Sequence, residues 1–200
     1  MSRGVLARPR AVIFDLDGTL TEPVLDFDAI RDEIGLRPGL PILEQMVDLD
    51  GPARARAEAI ILRHEREAIA RATLAEGCAE LLAALAALAI PIAILTRNVR
   101  EVVDTFGRAF GFTFHGIYTR EDGPPKPSPA GVLALCAQMR VAPAETLTVG
   151  DYKFDVIAGR SAGSRTVLVR REPLEPHAWD DWGSPDLVVQ SLRELLPLFI

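Results

Sequence analysis

In the stretch AVIFDLDGTL, residues 11–20, four apolar residues run straight into Asp15 and Asp17, and Gly18 and Thr19 follow before the apolar pattern resumes at Leu20. Two carboxylates at the end of a strand bound for the core cost free energy unless a cation or a proton relieves them. Three more apolar runs end in chemistry of the same kind. IAIL leads into Thr96, Arg97 and Asn98; FTFHGIYT leads into a loop that holds Lys126 among four prolines; TLTV leads into Gly150 and Asp151, with Asp155 one turn further on. Carboxylates suit a hard divalent cation, and a hydroxyl and an ammonium suit phosphoryl oxygens, so these residue types point to Mg²⁺ and a phosphate group. A calcium loop does not fit. That motif needs glycine at its sixth position and glutamate at its twelfth, whereas here glycine is fourth from Asp15 and the twelfth residue is Asp26.

The elements that must position these groups are legible as alternating patterns. Residues 10–16, 90–96, 146–151 and 165–170 read as buried strands, 112–119 as a weaker one and 186–189 as an edge strand. Between them, 78–88, 98–110, 128–140 and 154–162 read as helices. Strand alternating with helix predicts an α/β fold, a Rossmann-like three-layer core with a mainly parallel sheet covered on both faces. In such a sheet ligands bind at the carboxyl ends of the strands, where all four polar signals lie. Asn98 with Glu101 is expected to form a capping box, Ser128 to cap a helix that begins at Pro129, and Gly163 to end a helix in the left-handed conformation. From Thr21 to Gly77 only helical patterns occur, which predicts a small all-helical insertion at 21–77 within a core made of 1–20 and 78–200. Its hinges are expected near 21–23 and 74–77.

The set DxDGT, a strand-terminal threonine, a lysine before proline and GDxxxD, in this order, resembles the haloacid dehalogenase-like (HAD) hydrolase superfamily. The helical insertion directly after the first motif resembles the cap of its phosphoglycolate phosphatase-like branch. The resemblance implies that Asp15 is the nucleophile that forms an aspartyl-phosphate and that Asp17 is the general acid and then the base. It implies Mg²⁺ on the Asp15 carboxylate, the Asp17 backbone carbonyl and Asp151. It also implies Thr96 and Lys126 on the phosphoryl oxygens, Asn98 beside them, and Asp155 supporting the metal shell or orienting Lys126. Gly18, Thr19 and Gly150 are supporting residues; Gly18 is expected to turn the chain and Thr19 to orient Asp17. Arg97 intervenes where asparagine often follows the threonine directly, and it reads either as a contact to the substrate's anionic group or as a solvated side chain. Dehalogenases of the superfamily lack an acid at the position of Asp17, so its presence implies phosphate-ester hydrolysis.

Charge and composition narrow the field. With 200 residues, 48% hydrophobic, 25% charged and a formal charge of −6, the chain reads as a soluble globular protein and not as one that neutralises nucleic-acid phosphates. The basic N-terminus lacks the apolar run of a signal peptide, and no stretch is long enough to span a membrane. Cys78 and Cys136 read as buried free thiols of a reducing compartment, so a cytoplasmic location is expected. The cap arginines 54, 56, 63, 66 and 71 are nearly balanced by glutamates and read as a solvated face. His64 and His115 read as ordinary residues, and Trp179 and Trp182 as packing groups. The expected partner is a small phosphorylated metabolite, with no nucleic acid and no membrane, for a monomer or homodimer. Two competing readings are a phosphomutase of the same superfamily and a non-enzymatic aspartyl phospho-acceptor. A receiver domain of the latter kind has no helical insertion after its first strand and no use for Asp17.

Overall fold

The computed structural model describes residues 8–171 and 181–199. Six short strands, β1 (Ala11–Phe14), β2 (Ile92–Leu95), β3 (Gly116–Tyr118), β4 (Thr146–Gly150), β5 (Arg165–Val169) and β6 (Leu187–Val189), form one sheet in the order β3-β2-β1-β4-β5-β6. All five pairings are parallel. β1, β2 and β4 are buried along their whole length, which is why they read as continuous apolar runs without alternation. The Rossmann-like α/β core expected from the sequence is thus the observed fold.

The helices follow from the handedness of the connections. The path β1 to β2 to β3 moves one way across the sheet and β4 to β5 to β6 moves the other. Right-handed crossovers therefore put α4 (Cys78–Ala87) and α5 (Arg100–Phe110) on one face and α7 (Lys153–Ala162) on the opposite one. α6 (Ala130–Met139) carries the chain back from β3 to β4 and packs beside α7. There Val132, Leu135, Cys136 and Ala158 cover Ile13, Ala93, Leu95 and Tyr118. On α5, Phe106 is fully buried, with the rings of Phe110, Phe112 and Phe114 at 5.1, 5.8 and 6.2 Å. The reversal of direction lies between β1 and β4, and it opens a crevice at their carboxyl ends.

The chain divides into two compact units, residues 1–23 with 73–200, and residues 24–72. The second is helical: α1 (Phe27–Ile34), a short α2 (Ile42–Gln45) that runs on as a 3₁₀ turn, and α3 (Gly51–Ala70). Asp26 and Asp50 cap α1 and α3, each accepting a backbone N–H at 2.9 Å. Ile30, Ile42, Met46, Ala57 and Ile61 form the core of this unit. In the first unit, the segments expected to be hinges are paired with each other. Thr21 and Leu74 form an antiparallel bridge, Glu22 N–H donates to the Thr73 carbonyl and Ala75 N–H to the Leu20 carbonyl, both at 2.9 Å.

Local punctuation is partly as expected. Gly163 ends α7 at φ 82°. Ser128 is not the cap of α6: the helix begins at Ala130 with Pro129 as its N-cap and no side-chain cap, and the Ser128 hydroxyl instead accepts the Ala130 N–H at 3.3 Å. The capping box at α5 does not form. Its N-cap is Val99, without a side-chain hydrogen bond. Asn98 is drawn into a buried turn in which its N–H donates to Thr96 Oγ1 at 3.1 Å, and the Arg100 N–H is taken by the Glu121 carboxylate at 2.7 Å. A distant carboxylate thus satisfies a first-turn N–H of α5 in place of the local cap side chain.

Both cysteines are buried and free, and burial pushes the Cys78 thiol up to about 12. His115 Nδ1 accepts the Ile92 N–H, and His64 bonds Glu33. Trp182 is half-buried; Trp179 lies outside the described residues. Among the described residues no helix is long and apolar enough to cross a membrane. Removal of the central ring of the phenylalanine cluster, Phe106→Ala, is expected to cost about 3–5 kcal/mol, read as a fall in the denaturation midpoint at unchanged slope in urea.

Candidate active site

Each candidate residue lies where a strand ends. Asp15 follows β1, and its N–H extends the ladder by one residue, donating to the Val149 carbonyl at 2.9 Å. Thr96 follows β2, and its N–H donates to the Tyr118 carbonyl at 3.0 Å. Asp151 follows β4, and Lys126 lies in the loop after β3. Parallel register thus brings residues more than a hundred positions apart to one edge.

At the centre is Lys126. Its side chain is 4% exposed, and Nζ donates to Asp15 Oδ1 at 2.6 Å and to Asp155 Oδ1 at 2.5 Å. Burial alone would push its pKa down, but Asp15 and then Asp155 outweigh it and hold the ammonium charged. The other oxygen of Asp155 accepts the Tyr152 N–H at 3.1 Å, so Asp155 has both oxygens occupied and fixes the lysine from behind.

Carboxylate oxygens of Asp15, Asp151 and Asp155 lie within 4.8 Å of one another. One buried ammonium does not balance them. Burial, with the charges of Asp15, Asp155 and Asp17, pushes Asp151 up to about 8 even though Lys126 pulls the other way. Burial, with Asp15, likewise raises Asp155 to about 6 against the pull of Lys126. Oxygen donors under mutual repulsion, in a dry place, fit a hard divalent cation, whose charge would relieve all of them.

Two glycines make the close approach possible. Gly18 sits at φ 80°, and a Cβ there would lie 2.4 Å from Asp151 Oδ2. A Cβ on Gly150 would lie 2.0 Å from Asp155 Cγ. Gly18 is required both for its conformation and for space, Gly150 for space.

The remaining candidates are near but differently engaged. Thr96 and Asn98 are buried at the β2 exit. Asp17 is half-buried, two residues after Asp15. Thr19 does not orient Asp17: its Oγ1 is fully buried and has no hydrogen-bond partner, because its N–H turns back to the Leu16 carbonyl and leaves the hydroxyl inside. Arg97 directs a guanidinium nitrogen to the Lys126 backbone carbonyl at 2.6 Å and stands 4.9 Å over the Phe154 ring. Nothing in the spacing of TRN indicated these contacts. Phe154 was legible only as an apolar residue inside GDYKFD.

The raised Asp151 carboxyl links stability to pH. The folded state keeps a proton that the unfolded chain releases near pH 4, so metal-free protein is expected to lose stability progressively as pH rises from about 4 to about 8. Asp151→Asn is expected to raise the metal-free melting temperature at pH 8 by about 2–8 °C, the shift given by about 1–2 kcal/mol in a chain of this size. A divalent cation is expected to raise the melting temperature of the wild type and not of the variant. Thermal scans at pH 5 and pH 8, with and without cation, check both statements.

A haloacid dehalogenase-like hydrolase family model matches residues 31–169. A haloacid dehalogenase-like hydrolase domain-containing protein of Arabidopsis thaliana is 32% identical over 94% of this chain and 82% of its own. An N-acetylmuramic acid 6-phosphate phosphatase of Pseudomonas putida is 30% identical over 94% of this chain and 95% of its own. Among solved structures, a hydrolase from Pseudomonas syringae has the same fold, with a TM-score of 0.78 at 20% identity, covering 94% of this chain and 96% of that one. Together with an acid-and-lysine site at the strand exits, these matches place the chain in the haloacid dehalogenase-like hydrolase family, as an enzyme of the HAD-like phosphatase kind.

Proposed function

We propose that this enzyme is a Mg²⁺-dependent phosphatase that hydrolyses a small phosphate monoester through an aspartyl-phosphate on Asp15. The observation that carries this reading is the buried Lys126 ammonium between Asp15 and Asp155, beside the charge-strained Asp151. Phosphoryl transfer asks mainly for in-line placement and for positive charge at the equatorial oxygens. Lys126 stands within 2.6 Å of the proposed nucleophile, so the group that would neutralise the phosphoryl oxygens is already beside the atom that attacks.

In this reading an Asp15 oxygen attacks phosphorus and the ester oxygen leaves with a proton from Asp17. Asp17, now a carboxylate, takes a proton from water as that water attacks phosphorus and releases Asp15. Lys126 and the Thr96 hydroxyl donate to the phosphoryl oxygens, and Asn98 lies beside them. Asp15, the Asp17 carbonyl and Asp151 would hold Mg²⁺, which when bound screens the phosphate charge so that a carboxylate can approach. Asp155 orients Lys126. The helical unit of residues 24–72 is proposed as the cap of this family. The Pseudomonas putida relative makes N-acetylmuramic acid 6-phosphate one substrate to try, within the broader class of small phosphorylated metabolites.

The test is phosphate release from a panel of phosphorylated metabolites with and without Mg²⁺. Asp15→Asn is expected to reduce turnover to background, and equal activity in that variant would refute the role of Asp15. Asp17→Asn is expected to lose about 10²–10⁴-fold on an alkyl phosphate. On p-nitrophenyl phosphate, whose leaving group departs without a proton, the same variant is expected to release one equivalent of p-nitrophenol per site and then stall. Steady release without that burst would refute the second role of Asp17.

A further inference from the structure

Arg97 lies in the β2 exit, between the two residues that the HAD motif accounts for, and its contacts close a ring. The guanidinium donates to the Lys126 carbonyl at 2.6 Å and covers the Phe154 ring at 4.9 Å. Phe154 precedes Asp155, and Asp155 accepts from Lys126 Nζ at 2.5 Å. Lys126 is thus gripped at both ends, by Arg97 at its backbone and by Asp155 at its ammonium. The grip is anchored from behind, since Arg120 donates to the Arg97 carbonyl at 2.8 Å and its N–H to the Asn98 carbonyl at 3.4 Å. Arg100 adds a tie between α5 and the β3 exit through the Ile117 carbonyl and Asp122. Three strand exits are joined in one brace.

We propose that Arg97 is a positioning residue that acts through Lys126 and holds its ammonium on Asp15, an inference that rests on the phosphatase reading of that site. A lysine chain has four carbons of freedom, and the loop that carries it has no strand to fix it. A planar guanidinium can hydrogen-bond a carbonyl and lie on an aromatic face at the same time, which a lysine ammonium cannot do as well. The position therefore calls for arginine for its shape as well as for its charge.

A double-mutant cycle separates this role from direct contact with the substrate. Wild type, Arg97→Ala, Lys126→Ala and the double variant are compared by the dissociation constant for inorganic phosphate in the presence of Mg²⁺, and by kcat. Arg97→Ala is expected to lose about 10–100-fold in kcat, the size of effect that a displacement of about 1 Å produces. In the Lys126→Ala background the same change is expected to have little further effect on either quantity. Phe154→Leu is expected to reproduce part of the loss, and added guanidinium to restore part of the activity of Arg97→Ala but none of that of the double variant. Additive losses in the cycle, or full rescue by Arg97→Lys, would mean that Arg97 meets the substrate through its charge and would overturn the proposal alone. A wild type that neither binds phosphate nor turns over any phosphate ester would overturn the site reading and the proposal with it.

Discussion

Everything at the strand exits depends on one buried ion pair set, the Lys126 ammonium held by Asp15 and Asp155. An ammonium that is 4% exposed is tolerable only if its charge is answered and its donors are used. Two carboxylates do this at short range. Because Asp151 shares the same pocket of space, the set then carries more negative charge than one lysine can balance. The imbalance appears in the carboxyl of Asp151, pushed up to about 8 by burial and by its acidic neighbours. A site in this condition is poised for a second cation.

The sheet supplies the convergence at little cost. Parallel strands end on one side, and the reversal of direction between β1 and β4 leaves the crevice that Asp15 and Asp151 line. The strands themselves stay apolar and buried, so the polar groups appear only where the ladder stops. Glycine then governs how closely the loops approach. At Gly18 and Gly150 even a methyl group would collide with the carboxylates that make up the site. Rigidity comes from elsewhere, through the guanidiniums of Arg97, Arg100 and Arg120, which tie loop carbonyls and acids across the β2 and β3 exits.

The two hydroxyl-bearing residues near the nucleophile differ instructively. Thr96 Oγ1 accepts the Asn98 N–H and lies at a strand exit, where a hydroxyl can also donate. Thr19 Oγ1 is sealed inside with no partner, a cost of about 1–3 kcal/mol for an unsatisfied buried polar group. Its orientation follows from the tight turn after Gly18, in which the N–H groups of Thr19, Leu20 and Thr21 all point back to the Leu16 carbonyl. The turn dictates where the side chain goes.

The amino-acid sequence by itself determined the alternation of strands and helices, the place where each strand stops to within one or two residues, and the residue types at those stops. It could do so because such features are local: an apolar run of four or five residues ends, and the next residue is Asp15, Thr96 or Asp151. Even Gly18 was legible, since a tight turn beside two acids leaves few other choices. The tertiary structure alone decided which groups meet. Lys126 and Asp15 are 111 residues apart, Lys126 and Asp155 are 29 apart, and no periodicity connects them. The same holds for Arg97 over Phe154, and for Glu121 taking the helix terminus that Asn98 and Glu101 were expected to cap. Hydrogen bonds and burial between distant segments exist only once parallel register has set the strand exits side by side, so their partners could not be read along the chain.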